Sequence, residues 1–425
     1  MKLKFLLVGM LAIQQIHATN ITSLLNTLEK RPEHRLDTLA VEKSKLGQQA
    51  VSDKLMPTLN LFGGYEISNS PTSLLPVPPN KLIEMVKDQR IGQPFSKDIF
   101  REGVNFIWPL FVKSIYTLED KAALLNLAAK EKKTLNLIQR EAVIVGSVAQ
   151  LRYLESLKAA LMAKKRSILE TKVSTNMKVK EGRAAESALF VLNSNINTLE
   201  ITMNNIDQNI NLICSKIETL TGVHLKRSVS LSTKHHVNKS EILALKPLEI
   251  KVQASQKGMQ AAGEAYIPSI VTKGNYTYSQ ANAYNNDKSL HESFGTAGIY
   301  ISMPLFDSSK NTASEQAKVA YLQEQTNLDQ TKHSLLVQAK QIEREIKLLR
   351  KSVSLARKSV SDQKKLLKIA KVSLANGTIT QEEYLRYEDA LAEAKAALYK
   401  AEAQKWQDIA QLAVIYGNDL RRIVK

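Results

Sequence analysis

The sequence predicts a mixed α+β membrane protein that is mostly α, built from a strand pair and a long coiled-coil hairpin, with the whole unit duplicated. Three observations carry that prediction. Landmark prolines and glycines recur at one offset along the 425 residues. The runs near successive prolines alternate apolar and polar residues at period two. Beyond each Pro-Leu-Phe, at 109–111 and 304–306, lies a very long proline-free stretch whose apolar residues follow heptad spacing.

In chain order, the N-terminus reads as a targeting segment. Lys2 and Lys4 precede the apolar run FLLVGMLAI, and QQIHA offers Ala18 as a cleavage site, so residues 1–18 are predicted to be a signal peptide and the mature chain to be exported. That run is too short to cross a bilayer as a helix, which takes about 20 residues, and no other run in the chain approaches that length. The single cysteine, Cys214, lies far from the cleavage point. It is expected to be a small buried residue among Ile210, Ile213 and Ile217, not a lipid anchor.

The duplication is read from paired landmarks. Pro109 and Pro304, Gly182 and Gly377, and Gly222 and Gly417 are each 195 positions apart. Upstream, Pro57 and Pro268 differ by 211, and Pro32 and Pro247 by 215. The change between the two upstream offsets is about one helical turn. The change from 195 to 211 places an enlarged loop in the first copy. The first repeat is predicted over 19–222, with a helix, a strand at 58–67, an extracellular loop at 68–98, a strand at 100–108 and a helical hairpin turning near 182. A polar linker at 223–245 follows. The second repeat, 246–425, has a helix, a strand at 269–279, a loop at 280–293, a strand at 295–303 and a hairpin turning near 377.

The strands are read from alternation. Leu59, Leu61, Tyr65 and Ile67 alternate with Thr58, Asn60, Gly64 and Glu66, and Phe62 alone breaks the pattern. Ile270, Thr272, Tyr276 and Tyr278 alternate with Val271, Lys273, Asn275 and Thr277. Val104, Phe106 and Trp108 match Ile299, Ile301 and Met303 across the repeat. Such strands suit a barrel with lipid outside and water inside. Pro57, Pro109, Pro268 and Pro304 are predicted to mark the barrel-to-helix junctions, because proline cannot donate to a strand ladder.

The helical stretches carry two apolar rows. One runs through Leu328, Leu335, Ile342, Leu349, Ala356 and Ala370. The other runs through Ala339, Ile346, Val353, Val360, Leu367 and Leu374. These are heptad seams, and a helix that long measures roughly 100 Å. LANGTITQEEYL then turns the chain, with Gly377 as the left-handed stop, Thr380 as the next cap and Glu383 as its capping-box partner. VKEGRAAESALF turns it at Gly182 in the first copy.

Four strands cannot close a barrel, and lipid tolerates no open sheet edge. A homotrimer is therefore expected, sharing a 12-stranded β-barrel that continues as a 12-helix periplasmic α-barrel. The net charge of +18 raises nucleic acid as a partner, but the lysines are spread along the chain and no recognition module accompanies them, so none is expected. His235-His236 is an adjacent pair in a polar segment without acidic or cysteine neighbours at ligand spacing. No phosphate loop, catalytic triad or carboxylate pair is evident. No catalytic residue, metal site or cofactor is predicted, and the chain is not read as an enzyme.

These features together resemble the TolC family of outer-membrane efflux channels. The resemblance rests on RPEHRLDTLAVEKSKLGQQAVSDKLMPTLNLFGGY at 31–65, the two Pro-Leu-Phe junctions and LANGTITQEEYLRYEDAL at 374–391. It implies a trimeric duct in the outer membrane of a Gram-negative bacterium, extending into the periplasm. It implies work with a periplasmic membrane-fusion adaptor and an inner-membrane pump of RND or ABC type. The short chain end favours efflux of drugs, metal ions or other small toxic compounds over protein export. By the family's spacing from the tip glycine, Glu383 and Arg386 are periplasmic-mouth candidates, with Tyr384 and Tyr387 beside them. Glu383 equally suits a purely capping role, and the tyrosines suit plain coiled-coil core better than the mouth. Arg386 stands where the family carries an acid and would partly neutralise Glu383. Ile379 and Ala188 stand where a salt bridge between hairpins would be expected, which implies that this lock is absent. Gly182, Arg183, Gly377 and Thr378 are the tip turns and adaptor-contact candidates. A periplasmic coiled-coil adaptor without a barrel is the alternative, and it would not need the duplicated alternating strands.

Overall fold

The computed structural model describes residues 20–425, so the predicted signal peptide lies outside the described residues. Helix α1 spans Ile21–Thr27, α2 Pro32–Ser52, strand β1 Thr58–Ser73, α3 Pro79–Lys87, β2 Phe95–Phe111, α4 Lys113–Lys180 and α5 Ser187–Thr221. The chain continues with α6 Lys246–Gly263, β3 Ser269–Asn282, β4 Ser289–Ser302, α7 Ser308–Ala375, α8 Gln381–Ile415 and α9 Leu420–Ile423. α4 and α7 both have 68 residues, and α5 and α8 both have 35. No helix among the described residues is long and apolar enough to cross a membrane.

Two compact units cut across the sequence repeats. One holds the described residues up to Ala40 with 130–247 and 329–425, and the other holds 41–129 and 248–328. Each compact unit draws residues from both of the predicted spans 19–222 and 246–425. Helices from both repeats share one core, and strands from both share one sheet.

The helical unit is nucleated on α1. Asn20 caps it by accepting the Ser23 amide at 2.8 Å. Ile21, Leu24, Leu25 and Leu28 then fall on one face and are fully buried. They belong to a core with Ile144, Val148, Ile217, Ile342, Trp406 and Leu420. In α7 the second predicted row supplies most of the buried residues, Ala339, Ile346, Val353 and Val360, and the first adds Ile342 and Ala370, while Leu335, Leu349, Ala356, Leu367 and Leu374 are half-buried. The polar linker at 223–245 is not free. Val223, Leu225, Val229 and Leu245 are buried, and residues 232–234 pair with the C-terminus through Ser232 and Lys425, whose amides and carbonyls exchange bonds at 2.9 Å. The segment was polar on average, but its few apolar residues are the ones that pack.

The sheet unit holds one antiparallel sheet in the order β1-β2-β3-β4. Every strand is longer than its alternating stretch. β1 extends beyond 58–67 to Ser73, β2 beyond 100–108 at both ends, β3 beyond 269–279 to Asn282, and β4 starts at Ser289 and not 295. The predicted loops at 68–98 and 280–293 shrink accordingly, to 74–94 and 283–288. Backbone pairing continues through segments such as Ser289–Phe294, whose few apolar residues are too sparse to mark a strand by alternation.

One proline departs from its predicted role. Pro109 does not end its strand: β2 runs on to Phe111, with a register shift between Pro109 and Phe111 and no β1 residue opposite the proline. A bulge beside a locally unpaired strand tolerates the missing N–H. Pro304 lies outside β4, in the segment before α7, and Pro57 and Pro268 directly precede β1 and β3. Asp307 starts α7, its carboxylate accepting from the Ser309 amide at 3.0 Å and the Lys310 amide at 3.4 Å. The Ser309 hydroxyl also donates to it, and these bonds hold Asp307 below the usual carboxylate range.

Candidate functional site

The sheet presents two chemically distinct faces. Leu59, Phe106, Gly274 and Ala297 are register partners across all four strands, as are Leu61, Val104, Tyr276 and Gly295. This face is open and mostly apolar, with Asp98 and Glu102 as its exposed acids: Leu61 is 85% and Ile301 73% exposed, and Tyr65, Ile67 and Ile299 are exposed with them. The other face carries a polar row of Asn60, Asn105, Asn275 and Thr296, also in register. Gly64, Arg101, Ser279 and Glu292 form a second row on that face, where Arg101 pairs with Glu66 at 3.1 Å. β1 and β4 are sheet edges without a partner strand among the described residues.

The hairpin tips lie in the helical unit. Gly182 and Gly377 both take left-handed φ, +72° and +69°. Each closes a Schellman turn, with the Arg183 amide on the Lys178 carbonyl at 2.7 Å and the Thr378 amide on the Ser373 carbonyl at 2.9 Å. Gly222 and Gly417 repeat the geometry at the far ends of α5 and α8, with φ of +73° and +65°. Only the second tip has a side-chain cap. The Glu383 amide donates to Thr380 Oγ1 at 3.2 Å, and the Thr380 amide donates to Glu383 Oε2 at 2.8 Å. That bond, with a second from the Thr380 hydroxyl, holds the Glu383 carboxyl below the usual glutamate range. In α5 the N-cap position is Glu186, with no side-chain cap. Thr380→Ala is expected to destabilise the start of α8 by about 1 kcal/mol, read as faster amide exchange at residues 381–384 with the rest of α8 unchanged.

At the second tip Arg386 pairs with Glu382 at 2.8 Å, one turn back on the same helix face, and its charge also helps to hold Glu383 low. The coiled-coil seam at the tip passes through buried Leu385, while Tyr384 is half-buried and Tyr387 exposed. The two hairpins are nevertheless bridged by charge, away from Ile379 and Ala188: Arg166 of α4 meets Glu388 of α8 at 3.3 Å, and Lys164 meets Glu393 at 3.6 Å. Both pairs are largely exposed and contribute at most about 1 kcal/mol each.

A further polar cluster escaped sequence reasoning. Glu141 of α4 is fully buried. Its Oε2 accepts from the Leu420 amide at 3.0 Å, and its Oε1 lies 3.0 Å from Arg421 Nε as an ion pair, while Arg421 donates its hydrogen bonds to Asp419 and Glu29. Burial, then the nearby Asp419 carboxylate, raises the Glu141 pKa to about 7. The signal was an acid at 141 within the helical apolar spacing of Ile138, Val145 and Val148. His235 and His236 lie beside this cluster without a metal-binding group; none is found among the described residues.

Residues 240–418 match the family model described as outer membrane efflux protein. Among solved structures the chain is similar to the outer membrane protein VceC of Vibrio cholerae, at 13% identity and a TM-score of 0.69 over 94% of this chain and 96% of that one. It is similar to the CmeC outer membrane channel of Campylobacter jejuni, at 16% identity and 0.71 over 93% and 84%. It is also similar to the open state of the MtrE outer membrane channel of Neisseria gonorrhoeae, at 15% and 0.68 over 95% and 90%. At these identities the likeness establishes the fold. No curated protein sequence matches the chain.

Proposed function

We propose that this chain, whose residues 240–418 match the outer membrane efflux protein model, is a TolC-like outer-membrane exit duct of a tripartite efflux system. It is a channel protein and not an enzyme. The observation that carries the duct reading is the sheet: one exposed apolar face, one polar face lined by Asn60, Asn105, Asn275 and Thr296, and two unpaired edges. Such a sheet is stable in lipid only when its edges are closed by other copies. Three copies supply twelve strands, enough for a barrel with a water-filled lumen. The helical unit supports the same assembly, because apolar residues at heptad spacing remain exposed: Leu348, Leu355 and Ile369 on α7, and Val173 and Met177 one turn apart on α4. Helices of neighbouring copies would cover them as a periplasmic α-barrel.

The partners that follow are a periplasmic membrane-fusion adaptor at the tips (Gly182, Arg183, Gly377, Thr378) and an inner-membrane pump, with drugs, metal ions or other small toxic compounds as cargo. Three copies of Glu383, each kept ionised by its cap, would place a ring of negative charge at the periplasmic mouth. The test is reconstitution in a planar bilayer after trimers are verified in detergent. Discrete channels are expected, with a cation preference that falls in Glu383→Gln. Channels with unchanged selectivity would keep the duct and leave Glu383 as a cap only. Protein that stays monomeric and soluble without detergent would overturn the duct and leave the periplasmic adaptor.

A further inference from the structure

The connection between β1 and β2 is folded onto one face of the sheet. Arg101 donates to the Ser73 carbonyl at 2.8 Å and to the Leu74 carbonyl at 3.1 Å, and the Ser279 hydroxyl donates to the same Leu74 carbonyl at 3.2 Å. Arg101 and Ser279 are register partners on the polar face. The far end of the connection is pinned to the β3–β4 turn, with Lys288 Nζ on the Arg90 carbonyl at 2.7 Å and the Gln93 amide on Asn285 Oδ1 at 2.9 Å. Between these anchors, Leu82 of α3 closes a cavity against Thr277 and Phe294, again on the polar face.

Helix α3 has four apolar residues in its middle, and the fold uses only two of them. Leu82 and Met85 are half-buried. Ile83 and Val86, also one turn apart, are 58% and 51% exposed. Glu84, Lys81 and Lys87 are exposed around them and make no ion pair among the described residues.

If the apolar face meets lipid, the polar face meets the lumen, and α3 lies on the lumen side. Ile83 and Val86 then cannot reach lipid. The apolar surface available to them across the lumen is the same pair on the other copies. We infer that α3 is an interaction surface for the α3 helices of the other two copies, and that Ile83 and Val86 from three chains meet as an apolar constriction in the outer mouth. The inference rests on the trimeric duct reading. The charges are complementary in that arrangement, since Glu84 of one copy can face Lys81 or Lys87 of the next. A ring of aliphatic side chains in a narrow pore excludes water and ions until it is separated, so it would act as the resting closure of the duct.

The test uses full-length trimers in a Cys214→Ser background, which removes the sole cysteine. Ile83→Cys is compared with Asn60→Cys, which sits on the same polar face in the strand wall. On mild oxidation Ile83→Cys is expected to give disulfide-linked dimers on a denaturing gel, and Asn60→Cys is not. In bilayers, Ile83→Ser with Val86→Ser is expected to raise single-channel conductance severalfold over wild type. Verified trimers that do not crosslink at position 83, even with a short bis-maleimide, and that conduct equally with and without the serines would overturn the constriction while leaving the duct. Monomers throughout would overturn the duct and this inference with it.

Discussion

Glu141→Leu is expected to lower the unfolding free energy of the protein by about 3 kcal/mol, measured by denaturant titration in detergent. The substitution strands one buried donor and removes one ion pair. The Leu420 amide, on a fully buried residue, loses its acceptor, and Arg421 loses one carboxylate while keeping Asp419 and Glu29. Glu141→Gln keeps an acceptor for Leu420 and is expected to cost clearly less. The same pair of variants carries a pH prediction. Glu141 titrates at about 7 in the folded protein, above the ordinary glutamate value that it has when unfolded. The folded state therefore holds the extra proton between those values, and the Glu141 contribution to stability is full below the ordinary value and declines as pH rises through about 7. Asp408 and Asp389 are also raised by burial and act in the same direction. Denaturation midpoints between pH ~5 and ~8 should fall with rising pH in wild type and fall less steeply in Glu141→Gln. An equal slope in both would show that Glu141 does not titrate in this range.

The second large effect is expected on the sheet. Leu61→Lys places a charge on the apolar face, where lysine near the membrane midplane costs about 2–4 kcal/mol per chain. In the proposed trimer the penalty would be incurred three times in one assembly. The expected result is loss of heat-resistant trimers on a denaturing gel. Asn60→Lys, the adjacent residue on the opposite face, is expected to leave the trimer intact and to shift ion preference toward anions in a bilayer. If the two lysines destabilise assembly equally, the faces are not lipid and lumen, and the barrel falls with them.

The repeat was legible because its landmarks act locally. A glycine at positive φ ends a helix through its own backbone, and four of them at matched spacing report four helix ends before any packing is known. The capping box of Thr380 and Glu383 is likewise read within four residues. The heptad seams of α7 were legible as rows, but which of their residues would be buried depended on a neighbouring helix. The strand ends were not legible, since the pairing that resumes at Thr72 and Ser73 after an irregularity leaves no trace in side-chain type.

By itself, then, the sequence determined the duplication, the hairpin turns and the two-faced strands, all of which follow from backbone preferences and short periods. Only the tertiary structure decided which charges pair and where the long connection lies. Arg386 pairs with Glu382, while Glu383 turns its Oε2 back to cap Thr380. Glu141 and Arg421 are 280 positions apart, and Arg101 reaches Ser279 from a different repeat. Such contacts depend on the relative placement of distant elements, which no local pattern encodes. They set the buried acid in the helical core and the position of α3 on the polar face of the sheet.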